Sequence, residues 1–161
     1  MAEKSETAYF AAGCFWGVEA GFRALPGVVS TGVGYMGGDV PFPDYDAVCS
    51  GLTGHAETVA VDFNPALISY SDLLDHFWAS HNPTRKNRQG PDVGPQYRSA
   101  LFPMNDRQMA EAQASLALQR SRLWFWQRIF TEISPAGDFY PAEEWHQQYL
   151  EKRGRGIPVQ G

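Results

Sequence analysis

The chain has 161 residues, of which 43% are hydrophobic and 19% are charged, a composition typical of one soluble domain with a substantial core. Its net charge of −5 is uneven, because residues 1–84 hold ten acidic and two basic side chains, whereas residues 85–161 hold eight acidic and eleven basic ones. An acidic first half argues against a nucleic acid partner, which would require clustered Lys and Arg. No apolar run approaches the ~20 residues of a membrane span, so we expect no membrane partner. With only two cysteines, a disulfide framework is excluded and a cytoplasmic location is expected.

The first predicted elements surround Cys14. Residues 7–12 form a short apolar run typical of a buried strand, and Val18, Phe22 and Leu25 then recur at helical spacing. Cys14 is therefore predicted at the start of a helix, where free N–H groups and the helix dipole favour a thiolate. This position indicates an enzyme nucleophile.

The later elements alternate between strands and helices. In chain order, we predict a strand over 28–35, a loop rich in Gly, Pro and Asp over 36–54, a strand over 57–63, a helix capped by Ser71 and ending near His81, a polar loop over 84–96, a strand over 99–102, a helix from Asn105 or Asp106 to Ser121, a strand within 125–133 and a short helix within 140–150. This order predicts a single two-layer α/β domain over residues 1–161 with an antiparallel-rich sheet, and we expect flexible ends at 1–6 and 152–161.

A helix start is a weak activator of Cys14. It supplies ~0.3–1 kcal/mol, whereas one pKa unit corresponds to ~1.4 kcal/mol, so the pKa of the thiol falls by less than one unit. The thiol therefore needs an acid that activates its substrate. The two polar loops supply the candidates, with Tyr45 and Glu57 near the first loop and Asp92 and Tyr97 near the second. A carboxyl buried among aromatic rings has a raised pKa and donates a proton near neutral pH, and tyrosine hydroxyls can hold a substrate oxygen.

Five segments together resemble peptide methionine sulfoxide reductase A. They are Gly13-Cys14-Phe15-Trp16-Gly17, VCSGLTGHAE at 48–57, NRQGPDVG at 87–94, QYRS at 96–99 and HQQYL at 146–150. They occur in the expected order and cover roughly residues 7–151. The resemblance implies a two-layer α/β sandwich with a ferredoxin-like core and a mixed, antiparallel-rich sheet.

The same resemblance implies a protein-repair activity against oxidative stress, with no metal or organic cofactor. The substrate would be methionine-S-sulfoxide, free or in oxidised proteins. Cys14 would attack the sulfoxide sulfur, release methionine and become a sulfenic acid. Glu57 would protonate the departing oxygen.

The resemblance also implies roles for five neighbours. Tyr45 and Tyr97 would hydrogen-bond to the sulfoxide oxygen, and Asp92 would orient the site near the nucleophile. Phe15 and Trp16 would form the walls of a pocket for the substrate's S-methyl group.

The sequence departs from the family pattern in its last residues. Many relatives carry one or two resolving cysteines near the C-terminus, and none follows Cys49 here. Cys49 itself matches a position regarded as non-catalytic, which favours a structural thiol. We therefore expect recycling by an external thiol such as thioredoxin, glutaredoxin or a small thiol.

Two other functions remain open from the residues alone. A Cys/His acyl-transfer enzyme would pair Cys14 with His55 or His146, and a redox-sensing or binding module would use Cys14 only to record oxidation. The histidines lack zinc-ligand spacing, which argues against a metal site. The basic run at 85–88 is interpreted as a solvated loop, and the aromatic run at 124–126 as packing.

Overall fold

A central strand ends two residues before Cys14 and sets the position of the whole site. The computed structural model describes residues 5–153. Its elements are β1 (Glu6–Ala12), α1 (Phe15–Arg23), β2 (Val28–Met36), α2 (Tyr45–Cys49), β3 (Ala56–Phe63), α3 (Tyr70–Ser80), β4 (Arg88–Gln89), β5 (Asp92–Val93), a 3-10 turn (Pro95–Tyr97), β6 (Ser99–Phe102), α4 (Asp106–Ser121), β7 (Glu132–Ile133), β8 (Tyr140–Pro141), a second 3-10 turn (Glu144–His146) and α5 (Tyr149–Arg153).

The main sheet has six strands in the order β7-β6-β1-β3-β2-β8. Every pair is antiparallel except β6 with β7, so the sheet is mixed and antiparallel-rich. Helices α1 and α3 pack on this sheet, and α4 packs on α3. The predicted two-layer α/β sandwich is confirmed.

Side chains of β1 alternate between the two faces of the sheet, as the period of a strand requires. Ala8, Phe10 and Ala12 join the larger core beneath the helices. On the opposite face, Ala11 joins a smaller cluster, against which Phe139 packs from the segment before β8. Both faces of the central strand are therefore buried, which makes it a rigid support for Cys14.

The N-cap of the helix after β3 lies two residues before the predicted one. Ser69, not Ser71, is the N-cap of α3, and its hydroxyl accepts a hydrogen bond from the Asp72 N–H at 2.9 Å. The Asp72 carboxylate returns a bond to the Ser69 N–H at 3.1 Å, forming a capping box. This reciprocal pair of hydrogen bonds explains why the helix begins directly after Ser69.

Two predicted elements near the C-terminal end were wrong. The strand within 125–133 is reduced to Glu132–Ile133, because only these residues pair with β6. The helix within 140–150 is replaced by β8, a 3-10 turn and the start of α5, because Pro141 and Ala142 extend along the edge of β2 instead. These short pieces bring the 146–150 motif against α1.

Parts of the expected flexible ends are ordered. Glu6 pairs with Phe63 in the sheet, and its carboxylate bonds to Arg107 at 2.7 Å. Lys152 belongs to α5 and donates to the Glu144 carbonyl at 3.0 Å. The rest of that expectation, residues 1–4 and 154–161, lies outside the described residues. Within residues 5–153, no helix has the length and apolar character needed to cross a bilayer.

Candidate active site

Cys14 lies at the N-cap of α1, directly after the turn that follows β1. Gly13 makes this turn with a φ of +105°, and a side chain there would contact Gln89, so the position favours glycine. The thiol is half-buried and lies near the N–H groups of Trp16 and Gly17, which lower its pKa. The predicted helix start is confirmed.

The expectation that this position favours the thiolate is wrong in its net effect. Burial and, next, the nearby negative charge of Glu57 raise the pKa of the Cys14 thiol to about 11, although the N–H groups of Trp16 and Gly17 act in the opposite direction. The ordinary state of Cys14 at neutral pH is therefore the thiol. Activation must come from the substrate side.

Glu57, the second residue of β3, is buried beside the nucleophile, with 1% of its surface exposed. Its Oε1 accepts a hydrogen bond from the Phe15 N–H at 3.0 Å. Its Oε2 has no hydrogen-bond partner among the residues that the structure describes. Burial raises the pKa of this carboxyl to about 7, the Phe15 N–H opposes the rise, and the charge of Asp92 adds to it. Glu57 can thus hold a proton on Oε2 at neutral pH.

The bond between Phe15 and Glu57 also completes the start of α1. Cys14 makes no side-chain capping hydrogen bond of its own. The first free N–H of the helix is instead satisfied by a carboxyl from β3. The acid and the nucleophile are thereby held together by one backbone contact.

The other predicted polar residues lie around this pair. Tyr97 ends the first 3-10 turn, and its pKa is raised to about 12 by burial and by the charges of neighbours that include Glu57, Asp92 and Cys14. Asp92 in β5 is close enough to raise the pKa of both Cys14 and Glu57. Tyr45 begins α2, and its pKa is raised by burial and by charges that include Glu57. The structure brings all of these residues together.

Cys49 also lies beside the site, at the end of α2. Its side chain is exposed, and its thiol lies beside the Tyr45 hydroxyl. The expectation of a structural thiol stays a prediction. The sequence placed Cys49 correctly on the first loop but carried no sign that a short helix would turn it toward Tyr45.

The aromatic wall is larger than the two predicted residues. Trp16 stacks on Tyr149 with ring centroids 3.9 Å apart and planes 14° apart. Its indole N–H donates to Nδ1 of His146 at 3.0 Å. The Phe15 ring is fully buried against His146 and Tyr35. Tyr149 was quoted in the 146–150 motif without a role, and His146 was considered mainly as a partner of Cys14 in acyl transfer; the tertiary contacts with α1 place both in the wall.

A second carboxyl fastens this wall. Glu143 accepts hydrogen bonds from the Tyr35 hydroxyl at 3.3 Å and from the Tyr45 N–H at 3.2 Å. Burial lowers the pKa of His146, whose Nε2 lies 3.7 Å from Glu143. Because Nδ1 accepts a hydrogen bond from the Trp16 indole, His146 is part of the aromatic wall and is not engaged as a base for Cys14. Residues 5–153 also contain no cluster of three His, Cys, Asp or Glu side chains suited to a metal ion.

The chain matches a known protein family along nearly its whole length. Residues 6–158 match the family described as peptide methionine sulfoxide reductase. A protein named peptide methionine sulfoxide reductase MsrA from Methanothermobacter thermautotrophicus is 59% identical over 150 residues, which cover 93% of this chain and 89% of the relative.

Solved structures give the same result. Mxr1 from Saccharomyces cerevisiae in reduced form has a TM-score of 0.87 at 38% identity, covering 95% of this chain and 88% of that one. Mxr1 in complex with Trx2 has a TM-score of 0.64 at 25% identity, covering 92% of this chain and 89% of that one.

Proposed function

Since the chain belongs to the peptide methionine sulfoxide reductase family, we propose that it reduces the S epimer of methionine sulfoxide, free or in oxidised proteins, in the cytoplasm. Cys14 is the nucleophile and Glu57 is the acid. One observation carries this assignment above all others. A buried carboxyl whose pKa is about 7 lies beside the cysteine, and its Oε2 has no hydrogen-bond partner within residues 5–153.

The chemical step transfers one oxygen atom from the substrate to the protein. The Cys14 thiolate attacks the sulfoxide sulfur while Oε2 of Glu57 gives its proton to the sulfoxide oxygen. The new bond between the two sulfurs and the S–O bond of the substrate then break as the hydroxyl group moves to Sγ, so methionine leaves and Cys14 becomes a sulfenic acid. The substrate sulfur is reduced by two electrons and the cysteine sulfur is oxidised by two, and Glu57 takes its next proton from water.

The raised pKa of each partner serves this step. A carboxyl that stays protonated near pH 7 is a competent general acid, and burial supplies that property. The thiolate is scarce, but one formed beside a neutral Glu57 is free of the charge repulsion that contributes to the thiol's high pKa. In the reactive state, the pair formed by Cys14 and Glu57 therefore carries a single proton, which is on Glu57.

The neighbouring groups orient the substrate. Tyr45 and Tyr97 keep their hydroxyl protons, because burial raises both of their pKa values, so they can donate hydrogen bonds to the sulfoxide oxygen. Trp16, which is half-buried, offers a flat apolar surface to the S-methyl group, and the fully buried Phe15 ring supports this wall through His146. Asp92 adds negative charge that keeps Glu57 protonated.

Recycling requires a reductant for the sulfenic acid. An external thiol attacks the sulfenic acid sulfur, water leaves, and a second thiol releases reduced Cys14. The yeast relative solved with Trx2 supports a thioredoxin-type partner for this chain. Glutaredoxin or a small thiol would carry out the same exchange.

A single turnover without reductant tests the function. Fully reduced protein mixed with excess N-acetyl-methionine-S-sulfoxide should release about one methionine product per chain, the stoichiometry of one reactive thiol. The intact mass should rise by one oxygen, and dimedone should label Cys14. A mass that falls by two hydrogens would show a disulfide with Cys49 and contradict the external route.

Two substitutions provide the controls. Cys14→Ser should release no product. Cys49→Ser should release as much product as the unmodified chain and gain the same oxygen. Ester hydrolysis without sulfoxide reduction would instead support acyl transfer, and binding without product release would support a sensing module.

A further inference from the structure

Four aromatic and three basic side chains share one surface loop that the proposed chemistry does not use. The loop, residues 120–130, connects α4 to the segment before β7 and is called the arginine–aromatic loop below. Trp124, Phe125 and Trp126 are 67%, 95% and 65% exposed, and Phe130 is also exposed. The prediction that 124–126 pack is met only within the loop, where Trp124 and Trp126 stack 5.4 Å apart. Such exposure of consecutive large aromatics is typical of a binding surface.

The same loop carries an unbalanced positive charge. Arg120, Arg122 and Arg128 are exposed, and the sequence has no acidic residue between Glu111 and Glu132. Within residues 5–153 none of the three arginines forms an ion pair. Arg and Trp are the residues most enriched where proteins bind their partners. An anionic partner is therefore the complementary one.

The loop lies at the same end of the sheet as the nucleophile. Ala12, two residues before Cys14, pairs with Ser99 at the start of β6, and the Ser99 hydroxyl lies 2.8 Å from that of Thr131. The Phe130 N–H donates to the Pro83 carbonyl at 2.9 Å.

A further loop lies against both the arginine–aromatic loop and the turn before Cys14. Gln89 bridges to the backbone of Asn82 through both its amide oxygen and its amide nitrogen. Gln89 is also the side chain next to Gly13, which precedes Cys14. The segment 82–93 therefore contacts the arginine–aromatic loop through Pro83 and the turn before the nucleophile through Gln89.

We infer that the arginine–aromatic loop binds an acidic stretch of the same polypeptide whose oxidised methionine enters the site, an inference that rests on the function proposed above. An open groove of about 540 Å³ runs along the loop and is lined by residues that include Arg120, Trp124, Phe125 and Arg128. A groove with charged walls accepts side chains of an extended chain, so the groove favours a polypeptide.

The topology sets how far the acidic stretch lies from the sulfoxide. The strand β6 alone separates β1 from β7, so two strand spacings place the loop roughly 10 Å or more to the side of Cys14. An extended peptide advances ~3.3 Å per residue, so the acidic side chains should lie roughly three to six residues from the oxidised methionine.

Matched peptides test this inference. Each peptide has one methionine-S-sulfoxide and a run of three Glu residues that lies three to six positions away. The comparison peptide has three Gln residues in place of the Glu residues. The run is placed on the N-terminal side of the sulfoxide in one pair of peptides and on the C-terminal side in another. The unmodified enzyme should show a kcat/KM about threefold or more higher for the better Glu peptide than for its Gln counterpart, the size expected of exposed charge contacts. The preference should disappear at about 0.5 M NaCl, where the Debye length is only a few Å.

Paired enzyme variants locate the effect. The double substitution Arg120→Gln/Arg128→Gln, which removes both arginines that line the groove, should abolish the preference and leave kcat/KM for free methionine-S-sulfoxide unchanged. Arg107→Gln, an exposed arginine near Glu6 at the opposite end of the sheet, should retain the preference. The free amino acid thus reports on the proposed function separately from the docking loop.

Two outcomes would overturn the inference. The unmodified enzyme could treat the Glu and Gln peptides alike, or the double variant could keep the preference. If the double variant keeps the preference but loses binding to phosphatidylserine vesicles, the loop is assigned to a lipid surface instead. If the unmodified enzyme reduced none of the sulfoxides, that result would instead contradict the proposed function.

Discussion

Replacing Glu57 with Gln should change both the rate and the pH profile of the first turnover. The amide keeps the shape and can still accept from the Phe15 N–H, but it has no transferable proton. General acid catalysis contributes about 10²–10⁴-fold, and the amide can still donate a hydrogen bond, so we expect the rate at pH 7 to fall by at least about tenfold.

The pH profile gives the sharper comparison. The reactive state has one proton shared by Glu57 and Cys14, whose pKa values are about 7 and about 11. Its population rises with pH up to about 7 and then stays level, because the acid loses protons as fast as the thiol does. In Glu57→Gln only the thiol titrates, so the rate should climb about tenfold per pH unit between pH 7 and 8.5.

Rapid-quench measurement of methionine release over pH 6–9 checks this expectation, with Cys49→Ser as the matched control. The control should keep the break near pH 7. A Glu57→Gln enzyme with near-native rates, or one whose profile breaks at the same pH as the unmodified enzyme, would refute the assignment of Glu57 as the acid.

The same substitution has a stability signature. The folded pKa of Glu57 lies above its ordinary value of 4.5, so the contribution of this group is greatest below pH 4.5 and is lost as the pH rises toward about 7. A shift of that size corresponds to about 3 kcal/mol, at 1.36 kcal/mol per unit. Urea unfolding should show that the unmodified protein loses about this much stability, relative to Glu57→Gln, between pH 4.5 and 8. Parallel pH curves for the two proteins would contradict the buried, raised-pKa carboxyl.

Three further changes test the surroundings of the site. Tyr97→Phe should slow methionine release about tenfold or more, as expected for loss of one oxyanion donor, with an unchanged circular dichroism spectrum; an unchanged rate would remove its hydroxyl from the site. Trp16→Phe leaves Nδ1 of buried His146 without its donor, so urea unfolding should show a loss of about 1–3 kcal/mol, together with a higher KM. Ser69→Ala removes the cap of α3 and should lower Tm by about 2–4 °C without affecting kcat; a loss of kcat would indicate that α3 does more than support the sheet.

The sequence predicted the positions of the site residues well, because local patterns determine where strands and helices begin. The strand before Cys14 and the helix after it follow from apolar spacing alone. The protonation of the site could not be predicted in the same way. The helix start suggested a lower pKa for Cys14, but burial and a carboxyl 43 positions away raise it, and both depend on tertiary packing.

The segment 124–133 shows a second limit of sequence patterns. Its aromatic and apolar residues are typical of a buried strand, yet only Glu132 and Ile133 find a partner strand. The preceding aromatics have no sheet edge or core to occupy and remain exposed. Hydrophobic residues predict burial only where the fold provides a neighbour.

The contact between Phe15 and Glu57 makes alignment of the active site an all-or-none property. If the first turn of α1 frays, the thiol and the acid lose their common anchor together, so a state with one aligned and the other displaced is disfavoured. After proton transfer, the newly formed carboxylate faces the positive end of the helix that carries the oxidised cysteine. The helix start therefore stabilises the acid after it has reacted, in addition to the thiolate before the reaction.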